Sequence, residues 1–271
     1  MTKKTLTFRD REFKGSRFRC LLATSQEPKD VVAFLAALVE SHATVEPNAK
    51  WAPRGFRGPD EAKLGETVGV LSETDRQTIT NWWLAVPGRA NTPNWDLVSQ
   101  CTIGGKSSLI LVEAKAHEGE LDDDRCGARN KANCDQIKGA IAEANGAWNQ
   151  LSPGFALSAD SYYQLSNRFA FAWKLAELGT PVILVYLGFL NAEEMMGRKI
   201  LRSLDQWRKC VEAKTCSHVP RDVWDKTFDV NGTPLTVLIR AANVAVAHSV
   251  LVQGEPDSGV SNSSDLPMPR A

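Results

Sequence analysis

The chain has 271 residues, of which 43% are hydrophobic, enough to bury the core of one large domain. Lys and Arg together number 32 and so do Asp and Glu, so no overall field draws the chain onto nucleic acid or an anionic membrane. Any site for a polyanion has to be local. No apolar run approaches the roughly 18–20 residues that span a bilayer, and Met1-Thr2-Lys3-Lys4-Thr5 lacks the apolar stretch of a signal peptide. A cytoplasmic protein is therefore expected, with no membrane partner. The six cysteines form no C-x-x-C pair and are too sparse for a disulfide scaffold, which predicts reduced thiols.

In chain order, the first 24 residues carry seven Lys or Arg against Asp10 and Glu12. Lys14, Arg17 and Arg19 interleave with Phe13 and Phe18 in a pattern close to strand alternation, which reads as a basic edge strand. Residues 25–42 read as a helix capped by Ser25, with Val31, Phe34, Leu35, Leu38 and Val39 at helical spacing. Residues 44–59, rich in Pro and Gly, read as a loop. A second helix is predicted from Asp60 to Trp83, with Leu64, Val68, Leu71, Ile79 and Trp82 on one stripe and Glu61, Glu66 and Glu73 off it.

After a loop over 86–94, two strands are predicted, Trp95–Ile103 and Ser108–Ala116, joined by Gly104-Gly105-Lys106-Ser107. That Gly-Gly-Lys-Ser is no phosphate-binding loop: the pattern needs a glycine where Gln100 stands, and a helix where Leu109-Ile110-Leu111-Val112 is a strand. A polar loop over 118–133 contains Asp122-Asp123-Asp124. Helices follow over 134–150 and 161–178, and the uninterrupted apolar run Val182–Leu187 is a strand buried on both faces. A further helix over 191–214, a last strand over 235–239 and a Ser/Pro/Gly-rich tail over 254–271, expected to be disordered, complete the chain. The organisation is one α/β domain over 1–253, with an amino-terminal extension, followed by that tail.

Two acids and a lysine interrupt the apolar hairpin. Asp96 begins its first strand, and Glu113 and Lys115, two apart, share one face of the second while Ala114 points to the other. Pairing Ile103 with Ser108 across the turn brings Asp96 opposite Lys115 and within reach of Glu113. Burying three charges at one end of a hydrophobic hairpin is costly without compensation, and a divalent cation compensates. Two carboxylates suit Mg²⁺ or Mn²⁺, which keep waters and take up phosphate oxygens.

Asn94-Trp95-Asp96, a gap, then Glu113-Ala114-Lys115 resembles the signature of the PD-(D/E)xK nuclease superfamily, with Trp95 in place of the proline. The resemblance implies a restriction-endonuclease-like mixed β-sheet flanked by helices and a metal-dependent endonuclease acting on DNA. It implies that Asp96, Glu113 and the Ala114 carbonyl bind Mg²⁺ or Mn²⁺ and that Lys115 orients or activates water. Gln164 or Arg168, one turn apart on the helix over 161–178, would steady the scissile phosphate, with Gln136 a rival for that role. A helix glutamate, Glu66 in preference to Glu73, would join the metal. The family's usual first strand has no clear counterpart between Trp83 and Asp96.

His117, at the strand end, reads as a bystander, and Tyr162 and Tyr163 as core or rim aromatics. Residues 197–226, basic with Trp207 and Trp224 interleaved, are a candidate surface for tracking a DNA backbone, a solvated helix explaining them equally well. No DNA-reading module accompanies the core, which leaves specificity low, or to a homodimer or a partner protein. The alternative reading is a non-catalytic nucleic-acid or protein-binding module on the same fold, and a third is an α/β protein with a chance E-x-K.

Overall fold

In a computed structural model, residues 14–245 are described, apart from Val68 and Arg89. The amino-terminal extension before Lys14 and the tail over 254–271 lie outside the described residues.

Alternation in the hairpin sets the architecture. β5 (Lys106–Lys115) sends Leu109 and Leu111 to one face of the sheet and Ile110, Val112 and Ala114 to the other, and each set joins a separate apolar core. A strand buried on both faces needs cover on both. α1 (Gly15–Thr24) and α2 (Pro28–Leu38) supply part of one side. α3 (Glu73–Trp83), α4 (Lys131–Leu151), α5 (Tyr163–Glu177) and α6 (Leu204–Thr215) cover the other.

The sheet has six strands in the order β1 (Trp51–Ala52), β4 (Leu97–Ile103), β5, β6 (Val182–Phe189), β8 (Thr233–Ala242), β7 (Lys226–Val230). It is mixed: β4 runs antiparallel to β1 and β5, β6 runs parallel to β5 and β8, and β7 closes the far edge antiparallel to β8. A second, two-stranded sheet pairs β2 (Ala62–Lys63) with β3 (Asn94–Trp95). The expected mixed α/β sheet flanked by helices is what forms, and Val182–Leu187 is wholly buried in β6 as expected.

Several elements differ from the sequence reading. The basic segment is helix α1, not a strand: Phe18, Leu21 and Leu22 recur at helical spacing and are buried. Arg19 is buried too, bonded to Glu194 at 2.8 Å and to the carbonyls of Leu190, Asn191 and Val244. The segment 44–59, read as a loop, contains the short edge strand β1, which pairs with β4. The helix expected from Asp60 begins only at Glu73, where Ser72 caps it by accepting from the Asp75 amide at 3.0 Å. The helix expected from Asn191 begins at Leu204, capped by Ser203, whose hydroxyl accepts from the Gln206 amide. Asn191 itself holds a left-handed φ of 54°.

The hairpin turn is two residues, Gly104 and Gly105, both at positive φ, so Ile103 pairs with Lys106 rather than Ser108. Side chains along β4 therefore sit two positions away from the expected register, and continuing that register past Leu97–Val112 places Asp96 opposite Glu113 rather than Lys115.

Candidate active site

The site forms where β4 and β5 part. Asp96 occupies a bend between β3 and β4, so its side chain replaces a strand partner: one carboxylate oxygen accepts from the Ala114 amide at 2.8 Å. Glu113 and Lys115 follow Leu109 and Leu111 on the α5 side of the sheet, and both are buried. Glu113 is held from two directions. Lys115 donates to Oε1, and the Arg168 Nε donates to Oε2 at 2.6 Å.

Arg168 reaches this position from the middle of α5 and is itself buried. Its other nitrogens donate to Asn167 Oδ1 at 2.7 Å and to the Asn94 carbonyl at 2.6 Å, and its guanidinium lies 4.4 Å from the centre of the buried Trp95 ring. All three nitrogens thus hold protein acceptors. Gln164, one turn earlier and half-buried, accepts from Lys115 Nζ at 2.7 Å, while Asp124 accepts from the Gln164 amide at 3.0 Å. Together with Asp123, which accepts from the Tyr162 amide at 2.8 Å, Asp124 ties the polar loop to the start of α5.

The electrostatics follow from this packing. Burial and the charge of Glu113 push the Asp96 carboxyl up to about 8. Burial would raise Glu113 as well, but Arg168 and Lys115 outweigh it and hold the carboxylate below its usual range. Burial would lower Lys115, but Glu113 and Asp96 outweigh it and raise the ammonium. Lys115 therefore stays protonated and can donate, but cannot serve as a base in this state.

Asp96, Glu113, Lys115, Gln164 and Arg168 are all brought together, with Ala114 between the two halves. In an extended strand the N–H and C=O of one residue face the same neighbour, so the Ala114 carbonyl faces the side of β5 from which Asp96 accepts. Glu66 is not brought in. It stands in a turn after β2 rather than on a helix, pairs with Lys63 at 3.2 Å, and lines a separate cleft with Arg17, Glu61 and Asn94. Glu73 opens α3 and pairs with Arg76. Gln136 donates to the Trp82 carbonyl at 2.8 Å, tying α4 to α3.

Tyr162 lines the cleft in front of Lys115 and packs on His218 at 4.7 Å, whereas Tyr163 packs against Trp83. His117 is buried, accepting from the Gly119 amide at 3.0 Å. Among the described residues no group of three or more His, Cys, Asp and Glu side chains is placed to hold a metal ion. A cation bound by Asp96 and Glu113 would need the Ala114 carbonyl, waters or substrate oxygens to complete its shell.

Sequence reasoning missed three contributors. Glu120 lines the cleft and accepts from the Ala116 amide at 2.8 Å, and Tyr186 forms part of the cleft wall. Trp95 is the platform for Arg168, a role that its place next to Asp96 could have suggested. Within the basic stretch, Trp207 and Trp224 are buried core residues and not exposed stacking rings. Lys199, Arg202, Arg208, Lys209, Lys214 and Lys226 each pair with an acid. Compared with protein-family models, curated proteins and solved structures, the chain matches none.

Proposed function

We propose that the chain is a metal-dependent nuclease of restriction-endonuclease-like fold that hydrolyses phosphodiester bonds in DNA. The observation that carries this reading is the cluster of half-buried Asp96 with buried Glu113 and Lys115 at the end of a central strand, the latter two lining a cleft together with Gln164. The order of elements supports it: an antiparallel hairpin, then the helices α4 and α5, then a strand parallel to β5, where the PD-(D/E)xK resemblance implies a helix and a further buried strand.

The donor set fits a hard divalent cation. Asp96 and Glu113 are close enough that the charge of one hinders ionisation of the other, a conflict that a bound cation relieves. Mg²⁺ or Mn²⁺ held by Asp96, Glu113 and the Ala114 carbonyl would supply a Lewis acid that offsets charge developing on the phosphate. Lys115, an ammonium fixed by Glu113 and Gln164, orients the attacking water and stabilises negative charge in the transition state. Gln164 spends its carbonyl oxygen on Lys115, which leaves its amide nitrogen to donate to a phosphate oxygen. Arg168 acts through Glu113, holding that carboxylate in place. Hydrolysis joins a water oxygen to phosphorus and breaks one P–O ester bond, leaving one phosphate end and one hydroxyl end.

One observation favours the non-catalytic module as a second reading: both oxygens of Glu113 are already held by cations, as in a structural ion cluster. Incubation with linear, supercoiled, single-stranded and branched DNA separates the two. Cleavage that requires Mg²⁺ or Mn²⁺ is expected of the nuclease, and binding without cleavage of the module.

A further inference from the structure

Tyr186 stands on β6 directly beside Glu113 in the parallel register and is 1% exposed. Its ring packs edge-on against Trp224 at 5.1 Å and near Phe169 at 6.2 Å, so it has little freedom to turn. Its hydroxyl has no hydrogen-bond partner among the described residues. A buried tyrosine hydroxyl ordinarily finds one, because stripping it of water without replacement is costly. Of the buried side-chain polar atoms in that condition, it alone belongs to a residue lining the cleft of Glu113, Lys115 and Gln164.

The inner cleft leaves about 20 Å³ for the centre of a water molecule, room for about one water. The residues lining it include Glu113, Lys115, Asp124, Gln164 and Tyr186, whose polar side chains are the kind of partners such a water needs.

We propose that Tyr186 is a further catalytic residue, whose hydroxyl, with Lys115, holds the water that attacks the phosphodiester. This rests on the nuclease reading for its chemistry, but the water site itself is tested without any turnover.

Tyr186→Phe removes one oxygen that bonds to no described protein group, so the fold and the melting temperature should be retained. A high-resolution crystal structure of the wild type should then hold an ordered water in hydrogen-bonding distance of the Tyr186 hydroxyl, and the Tyr186→Phe structure should lack it. With Mn²⁺ and a linear duplex, the variant should lose kcat on the order of 10- to 100-fold, as expected when a reacting group is misplaced, with KM unchanged. A purely structural role would instead lower the melting temperature and spare kcat. Wild-type turnover in the variant, or a Tyr186 hydroxyl bonded to a protein atom with no water beside it, overturns the proposal while leaving the nuclease reading intact. A wild type that cleaves no DNA overturns the nuclease reading and with it the catalytic role, whereas the crystal structures still decide the water site.

Discussion

Replacing Arg168 with methionine keeps the apolar stem and removes the charge that holds Glu113. In the wild type this side chain is buried and donates at 2.6 Å to Glu113, at 2.6 Å to the Asn94 carbonyl and at 2.7 Å to Asn167. Hydrogen bonds involving a charged group contribute about 1.5–3 kcal/mol each, and removing one partner of a buried ion pair costs about 3–5 kcal/mol because the other charge stays behind. Lys115 remains on the second Glu113 oxygen, which keeps the loss at about 4 kcal/mol. For a chain of this length that corresponds to a fall in Tm of about 8–16 °C. Urea unfolding followed by tryptophan fluorescence measures it, as a lower midpoint at unchanged slope. Adding Glu113→Gln removes the stranded charge, so the double variant should be more stable than the sum of the single losses predicts. A loss below about 1 kcal/mol, the range of an exposed pair, or strictly additive losses would refute the clamp.

Asp96 gives a pH dependence of definite sign. Its carboxyl lies near 8 when folded and near about 3.9 when unfolded, so its contribution to stability is fully present below about pH 4 and is lost as pH rises toward 8. Asp96→Asn should flatten the metal-free curve of melting temperature against pH in that window and be more stable than wild type at pH 8.5 or so; an unchanged slope would refute the burial argument. Gly188→Ala should cost about 1–3 kcal/mol of overpacking, because a β-carbon there would sit 2.6 Å from Trp207, whose indole nitrogen is tied to the Tyr186 carbonyl; unchanged urea stability would count against that packing.

The strongest signals in the sequence were those in which two levels agreed. Leu109 to Val112 is apolar, β-rich and follows a glycine turn, and Val182 to Leu187 is apolar without a break, so both strands were legible, as was α5 between them. The convergence of Asp96, Glu113 and Lys115 was legible from alternation, but its register was not. A two-residue Gly-Gly turn fits the twist of the strands better than a four-residue one, and that choice moved Asp96 from Lys115 to Glu113. β7 was missed although Asn231-Gly232 is a strong hairpin signal; both residues hold positive φ between β7 and β8. The starts of α3 and α6 were marked by Ser72 with Asp75 and Ser203 with Gln206, capping pairs that the apolar stripes obscured. What could not be read was Arg168's partnership: no periodicity says that a polar helix residue will turn inward to meet a glutamate 55 positions earlier.

The nuclease reading meets its most direct test in DNA cleavage by the wild type and by Lys115→Ala, each confirmed as folded by circular dichroism and each with and without Mg²⁺ or Mn²⁺. Cation-dependent cleavage by the wild type that disappears in Lys115→Ala is the predicted result. Equal cleavage by both proteins, or none by the wild type on any of the four DNA forms, would contradict it.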